Sequence, residues 1–381
     1  MAWPRPSAPA PLSLLAAAAL GALLAGCAPP GRTAGPAATL FVGDGVAGTV
    51  TPLDVRTGRP VGPPATVATG AVQLAAGPGG RLLVLATPAA PAQGAATLTQ
   101  VVPSDGGWRL RPVDLGLPAY DATLAGDGGR YAVVAFHPAP LSGDASPPAG
   151  PPCRVALVDA AAGAVERTLA VCGPDERVAA AAFESSPAGL VVYLGTWLSV
   201  EEGDAAGPAR GRIVALDART GAVRASAPVA GRPSRLALAP GRSPPDARLF
   251  CLEDTPVPAY DTAAGVRSRL LALDPATLQL ERAVPLRAAP RYVAVAPDGE
   301  RVYLLSALGG ALQDVDLGSG AQAPRAALPG LGAGLVVTDR WVYAAAGDAV
   351  WRIDRRAGGR AEILSVGGHP GALALAPYDA P

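Results

Sequence analysis

Arg291-Tyr292-Val293-Ala294-Val295-Ala296-Pro297-Asp298-Gly299, then Arg301-Val302-Tyr303-Leu304-Leu305, reads as two short apolar strands around a tight Asp-Gly turn. A second copy follows about forty residues later: Leu335-Val336-Val337-Thr338-Asp339, then Trp341-Val342-Tyr343-Ala344. Between such copies lies another phrase. Val214-Ala215-Leu216-Asp217-Ala218-Arg219-Thr220-Gly221 is echoed by Leu271-Ala272-Leu273-Asp274-Pro275-Ala276-Thr277. A repeat of ~40–50 residues, each holding four strands, is a propeller blade.

Labelling strands a to d from the central channel outward, we place seven a strands: Ala71–Ala76, Ala122–Ala125, Val178–Phe183, Arg235–Ala239, Tyr292–Ala296, Gly334–Thr338 and Ala372–Ala376. The c strands end on a shared Asp at Asp54, Asp159, Asp217, Asp274, Asp316 and Asp354. Blade 2 departs, with Pro103-Ser104-Asp105 in that place. The Asp-X-X-Thr-Gly runs at Asp54 and Asp217 suit a tight c–d turn, with Asp bonding backbone amides and Gly supplying positive φ. The ends decide the count. The first blade starts at a b strand, Thr39–Gly43, and lacks its a strand, while the last segment, Ala372–Ala376, is an a strand with nothing after it. Joined, they complete one blade and remove two free edges. The expectation is an all-β, seven-bladed beta-propeller, closed by the C-terminal strand joining the N-terminal blade.

The chain has 381 residues, of which half are hydrophobic and 16% charged, with 31 acids and 31 bases. All the bases are Arg, and Lys and Asn are absent. That excludes a Lys-bearing phosphate loop, a Schiff-base Lys and N-glycosylation. Without a basic stripe there is no expectation of nucleic-acid binding.

Residues 1–26 read as a targeting segment, with Arg5 before an apolar run from Leu12 to Ala25. Leu24-Ala25-Gly26-Cys27 resembles the lipobox of bacterial lipoproteins. The resemblance implies that Cys27 becomes the first mature residue and carries the lipid chains of a membrane anchor. The Pro/Gly/Ala-rich residues 27–38 then form a tether, and residues 39–381 the propeller. The expected location is extracytoplasmic, lipid-anchored to a bacterial membrane at the cell surface or in the periplasm. An exported chain can oxidise its thiols. Cys153 and Cys172 flank a strand–turn–strand, so antiparallel pairing brings them to the same end and predicts a disulfide. Cys251 reads as a buried small hydrophobe.

The phrases at 290–299, Val302-Tyr303 and the Asp-X-X-Thr-Gly turns resemble the YVTN-type propeller repeat family, related to surface-layer and quinoprotein-like propellers. The resemblance spans nearly all of the mature chain, weakens in blades 2 and 3, and implies a fold rather than one activity.

In such a ring the d–a and b–c loops open on one face. The long insertions Pro88–Ala95, Pro138–Pro152, Trp197–Ala209 and Glu253–Val266 all fall in b–c connections of blades 2 to 5. Insertions gathered on one face suggest a binding face. Its candidate residues are Tyr120, His137, Arg177, Trp197, Glu201, Glu202, Asp204, Arg232, Asp254, Tyr260, Asp261 and His369. Trp197 and Tyr260 suit either partner anchors or loop staples. Glu201-Glu202-Gly203-Asp204 could offer oxygens to a hard cation but lacks EF-hand spacing, and a His₂ metal site would need both His137 and His369. No metal site or cofactor is expected.

The sequence has no G-x-S-x-G elbow, no H-E-x-x-H and no C-x-x-C. The leading expectation is therefore a non-catalytic, envelope-anchored interaction module for a protein, peptide or glycan. The alternatives are a propeller enzyme, lactonase-like or quinoprotein-dehydrogenase-like, and an envelope-assembly factor similar to the lipidated barrel-assembly propeller. The missing Asn weighs against the first enzyme type. The missing Trp after the Asp217 turn weighs against the second. Small apolar a strands would favour a plain scaffold.

Overall fold

The computed structural model describes residues 38–376 except 91–92, 127–129, 139–151, 174–175, 187–188, 199–210, 240–246, 256–266, 288, 307–308, 357–359 and 365. The expected targeting segment, residues 1–26, and Cys27 lie outside the described residues.

The described residues form seven four-stranded antiparallel sheets, each strand hydrogen-bonded to its sequence neighbour. One sheet breaks that rule: Pro370–Ala376 is its first strand, followed by Thr39–Asp44, Thr49–Asp54 and Ala65–Thr66. The closing strand runs antiparallel to Thr39–Asp44, with Thr39 opposite Ala376 and Gly43 opposite Ala372. This is the expected closure.

Strand alternation explains why the ring packs. In Thr39–Asp44, Leu40 and Val42 join a cluster with Tyr343, Val350 and Leu364 of blade 7. Phe41 points the other way, into a cluster with Val72, Leu82 and Val84 of blade 2. The closing strand does the same: Leu373 and Leu375 pack toward blade 7, while Ala372, Ala374 and Ala376 pack toward blade 2. Because side chains alternate with period two, one strand seals two interfaces. The other apolar clusters likewise fill the gaps between successive blades.

The c–d turns repeat one device. The Asp54 carboxylate accepts the amides of Arg56 and Thr57, both at 2.8 Å, and Gly58 N–H donates to the Asp54 carbonyl at 2.7 Å. Asp159 and Asp217 do the same with Gly163 and Gly221 closing the turn at positive φ. Blade 5 differs: Leu278 takes the glycine's place, at φ 56°, and donates to the Asp274 carbonyl at 2.8 Å. Its side chain is 1% exposed and packs among Leu271, Leu273 and Leu249. Burial therefore outweighs the left-handed strain.

Cys153 and Cys172 are bonded, their Cα atoms 5.2 Å apart at the shared end of the c and d strands of blade 3. The chain-entropy account assigns such a loop roughly 3 kcal/mol. Cys251 is a buried free thiol in strand b of blade 5, and burial pushes its thiol pKa up.

Replacing Leu278 with Gly relieves about 1–2 kcal/mol of backbone strain but removes a buried side chain worth roughly 2–5 kcal/mol. Leu278→Gly should therefore destabilise the protein by about 2 kcal/mol, read from urea midpoints. Stability gained by the glycine variant would show that packing does not govern this turn.

A second expectation concerns acid. The Arg224 guanidinium 2.6 Å from Asp217, with the Thr220 amide, holds that carboxyl down at about 2. At Asp54 and Asp159 burial pushes upward, but amide bonds, joined at Asp159 by Arg130, outweigh it and lower both. An unfolded Asp titrates near pH ~3.9, so the unfolded chain takes up these protons first as pH falls. The stabilisation is complete above about pH 4 and is lost on the way down through about 2. Urea melts across that window should show the fall, and Asp217→Asn should make it shallower.

Candidate functional site

Each a strand runs toward the a–b turns, so its first residues rim the face bearing the d–a and b–c loops. There the structure carries a feature invisible in the sequence pattern. In blades 1 and 3 to 7 the a–b ladder slips beside the channel mouth, leaving extra residues on the inner strand. The extra residues are Gly371, Asp121 with Ala122, Ala179, Ser234, Arg291 and Ala333. Bulges bend a strand and re-aim its side chains. Most of these residues line a cavity of about 1370 Å³ at the mouth of the channel. Asp121 adopts φ 46° there, a conformation Asp tolerates better than most residues.

The wall on blades 5 and 6 is cationic. Arg232, Arg235, Arg291 and the Tyr292 ring all face the cavity. Arg235 and Tyr292 occupy equivalent places, each the first residue after a bulge, and the Arg235 guanidinium carbon lies 5.7 Å from the Tyr292 ring centre. Arg235 also donates to the Ser234 carbonyl at 2.8 Å. Burial, then the nearby charges of Arg291 and Arg232, push its pKa down, against opposing pulls from Tyr292 and Asp254. On the rim of blades 4 and 5 the Trp197 ring sits between two guanidiniums, 4.9 Å from Arg232 and 5.8 Å from Arg177.

Several arginines elsewhere are paired with carboxylates, as in Arg130–Asp159 at 2.6 Å, Arg301–Asp314 at 2.5 Å and Arg355–Asp298 at 2.5 Å. Among the described residues Arg177, Arg232, Arg235 and Arg291 have no such partner. Asp254, opposite Arg232 in the ladder of blade 5, accepts the Ser268 hydroxyl at 2.7 Å. Glu176 is committed to Arg212 at 2.6 Å.

The remaining sequence candidates scatter. Tyr120 is half-buried and pairs with His137 across the a and b strands of blade 3. His137 is 2% exposed, and its Nε2 accepts the Val178 amide at 3.3 Å. It therefore packs between blades 3 and 4 and is not an open-rim ligand. His369 is exposed and lines the cavity, its amide donating to Asp44 at 2.7 Å. Glu201, Glu202, Asp204, Tyr260 and Asp261 lie outside the described residues. No group of three or more His, Cys, Asp or Glu side chains is placed to hold a metal ion among the described residues.

Arg291 and Arg235 did not figure among the sequence candidates because both sit inside strands, whose apolar alternation gives no sign of a polar site. Aligning Pro233-Ser234-Arg235, Pro290-Arg291-Tyr292 and Pro370-Gly371-Ala372 would have exposed them, since blade 1 has only Gly and Ala where blades 5 and 6 carry large polar groups. The plain, small apolar channel suggested by the a-strand composition is corrected on this wall.

No protein-family model matches the sequence, and no curated protein matches it. Solved structures do resemble it. A functionally unknown protein from Desulfotomaculum acetoxidans superposes with a TM-score of 0.59 at 13% identity, over 90% of this chain and 99% of that one. Hydrazine synthase from Kuenenia stuttgartiensis gives 0.57 at 15%, over 84% and 92%. Apo AztD from Citrobacter koseri gives 0.50 at 15%, over 91% and 100%. Identities this low speak for the propeller fold alone.

Buried His137 has a pH signature. Burial, then Arg177, lowers its pKa, with Asp121 pulling the other way. A lowered folded pKa means the unfolded chain protonates first, near pH ~6.5, so stability is undiminished above that and falls below it. His137→Gln should remove this slope between about pH 6.5 and 5, measured by thermal melts in that range. An unchanged slope would place its origin elsewhere.

Proposed function

We propose that this chain is an extracytoplasmic, lipid-anchored binding protein that holds a protein, peptide or glycan partner on the d–a/b–c face of its propeller. The observation that carries the reading is the wide channel mouth on that face, lined at blades 5 and 6 by Arg232, Arg235 and Arg291, with Arg232 lying against the Trp197 ring on the rim. A folded ring has no need to gather like charges in a concavity, since self-repulsion and desolvation both cost stability. Arg and Trp together are also the side chains that anchor partners most effectively. The Cys153–Cys172 disulfide supports an oxidising compartment, and the lipobox-like Leu24-Ala25-Gly26-Cys27 supports an anchor at Cys27. The described residues bring together no nucleophile–base pair within hydrogen-bond reach in the cavity, so binding is favoured over catalysis.

Two measurements test the reading. In a bacterial host fed alkyne-palmitate, the full chain should be labelled and sediment with membranes, whereas Cys27→Ser should be unlabelled and released. Absence of label on the unaltered chain would sink the anchor. A photoreactive residue at Thr69, in the mouth, should give crosslinked adducts in cells, and one at Glu300, in an a–b turn on the opposite face, should not. Equal yields from both would remove the mouth as the binding face.

A further inference from the structure

The geometry points to an oxyanion-binding site on the blade 5–6 wall of the channel, built by Arg232, Arg235 and Arg291, that recognises adjacent carboxylate or phosphate groups of a small ligand or of the partner. This deepens the binding-face reading and rests on it.

Four observations converge. Arg232, Arg235 and Arg291 line one cavity and come from neighbouring a strands. They lack a carboxylate partner among the described residues, so no ion pair offsets their charge locally. Two are pre-oriented, Arg232 by the Trp197 ring at 4.9 Å and Arg235 by the Tyr292 ring at 5.7 Å together with the Ser234 carbonyl. Finally, Arg291 is itself the bulge residue of its strand, so a local distortion of the ladder delivers that side chain to the mouth.

The chemistry follows from the guanidinium. It cannot shed its charge, so this unpaired cluster, with Arg235 half-buried and Arg232 and Arg291 exposed, remains a standing positive potential inside a concave wall that focuses it. Its planar fork matches two oxygens of one carboxylate or phosphate. A ring-stacked guanidinium keeps its edge N–H groups free for that purpose, and little rotamer entropy remains to be lost on binding. Several arginines from two blades suit a ligand with more than one oxyanion, since a single carboxylate would leave the cluster's mutual repulsion largely unrelieved. Overall charge does not account for the feature, because acids and bases balance at 31 each. The charge is gathered locally.

The test is calorimetric titration of the full chain, in detergent at low ionic strength, with pyrophosphate and with tricarballylate as probes. At least one probe should bind, and weaken as salt is added. Arg235→Gln/Arg291→Gln should lose about tenfold or more in affinity, the size expected for losing charge-assisted hydrogen bonds. Arg235→Lys should fall between, retaining charge without the fork. Arg130→Gln, which breaks an ion pair on the other face, should bind as the unaltered chain does. Preference for one probe identifies phosphate or carboxylate as the group read. Binding of neither probe, or equal binding by the double variant with an unchanged melting temperature, overturns the site. The two readings fail separately. Thr69 adducts that persist in the double variant, with no probe bound, leave the binding face standing without its oxyanion specificity. Probe binding with no Thr69 adducts leaves the oxyanion site standing without the envelope partner.

Discussion

Thr39–Asp44 pairs on one side with Thr49–Asp54 and on the other with Pro370–Ala376, and the ring exists only while both ladders hold. Every other blade is built from consecutive strands and pairs them without a distant segment. Blade 1 cannot, because its innermost strand arrives from the far end of the chain. The closing strand also supplies side chains to two inter-blade cores, so its loss would open a backbone edge and two apolar seams together. Long-range pairing of this kind is slow to form, because the loop-closure entropy must be met before the contacts reward it.

Closure also fixes the channel. Seven inner strands held at one radius leave a mouth whose character depends on what each strand carries near its start. The bulges govern that choice. A regular strand alternates side chains between the two neighbouring blades, and nothing is aimed at the axis. One extra residue breaks the alternation where the channel opens. Blades 1 and 7 use Gly371 and Ala333 there, leaving room, whereas blade 6 uses Arg291 and blade 3 uses Asp121. The scaffold is near-symmetric and the mouth is not, so one wall is cationic while the opposite side offers Gln73 and Asp121.

Much of the ring was legible in the sequence, for reasons visible in particular residues. Thr39–Gly43 without a preceding strand, and Ala372–Ala376 without a following one, could satisfy their edges only with each other. Cys153 and Cys172 flank one hairpin, and antiparallel geometry leaves no freedom about which end they share. The Asp turns are local chemistry, readable from Asp54-X-X-Thr57-Gly58 alone. The site was less legible. The slip at Arg291 shows as the offset between Pro290 opposite Ser306 and Tyr292 opposite Leu305, a pairing that the apolar alternation of one strand does not report. The burial of His137 depends on Val178 of the next blade, a contact no spacing rule encodes. The Leu278 turn shows the same limit of local reading: glycine is the residue that backbone favours, and tertiary packing selected otherwise.

The closing pair Thr39–Ala376 has one more consequence, for orientation. Strand b leaves the face of the a–b turns and the closing a strand returns to it. The chain therefore enters and exits the ring at neighbouring points on the face away from the mouth. An anchor upstream of Thr39 would hold the propeller like a flower on its stalk, with the cationic opening turned outward from the lipid. A partner could approach from the compartment side without competing with the membrane for space. A fusion joined directly after Ala376 would start on the stalk side, away from the opening.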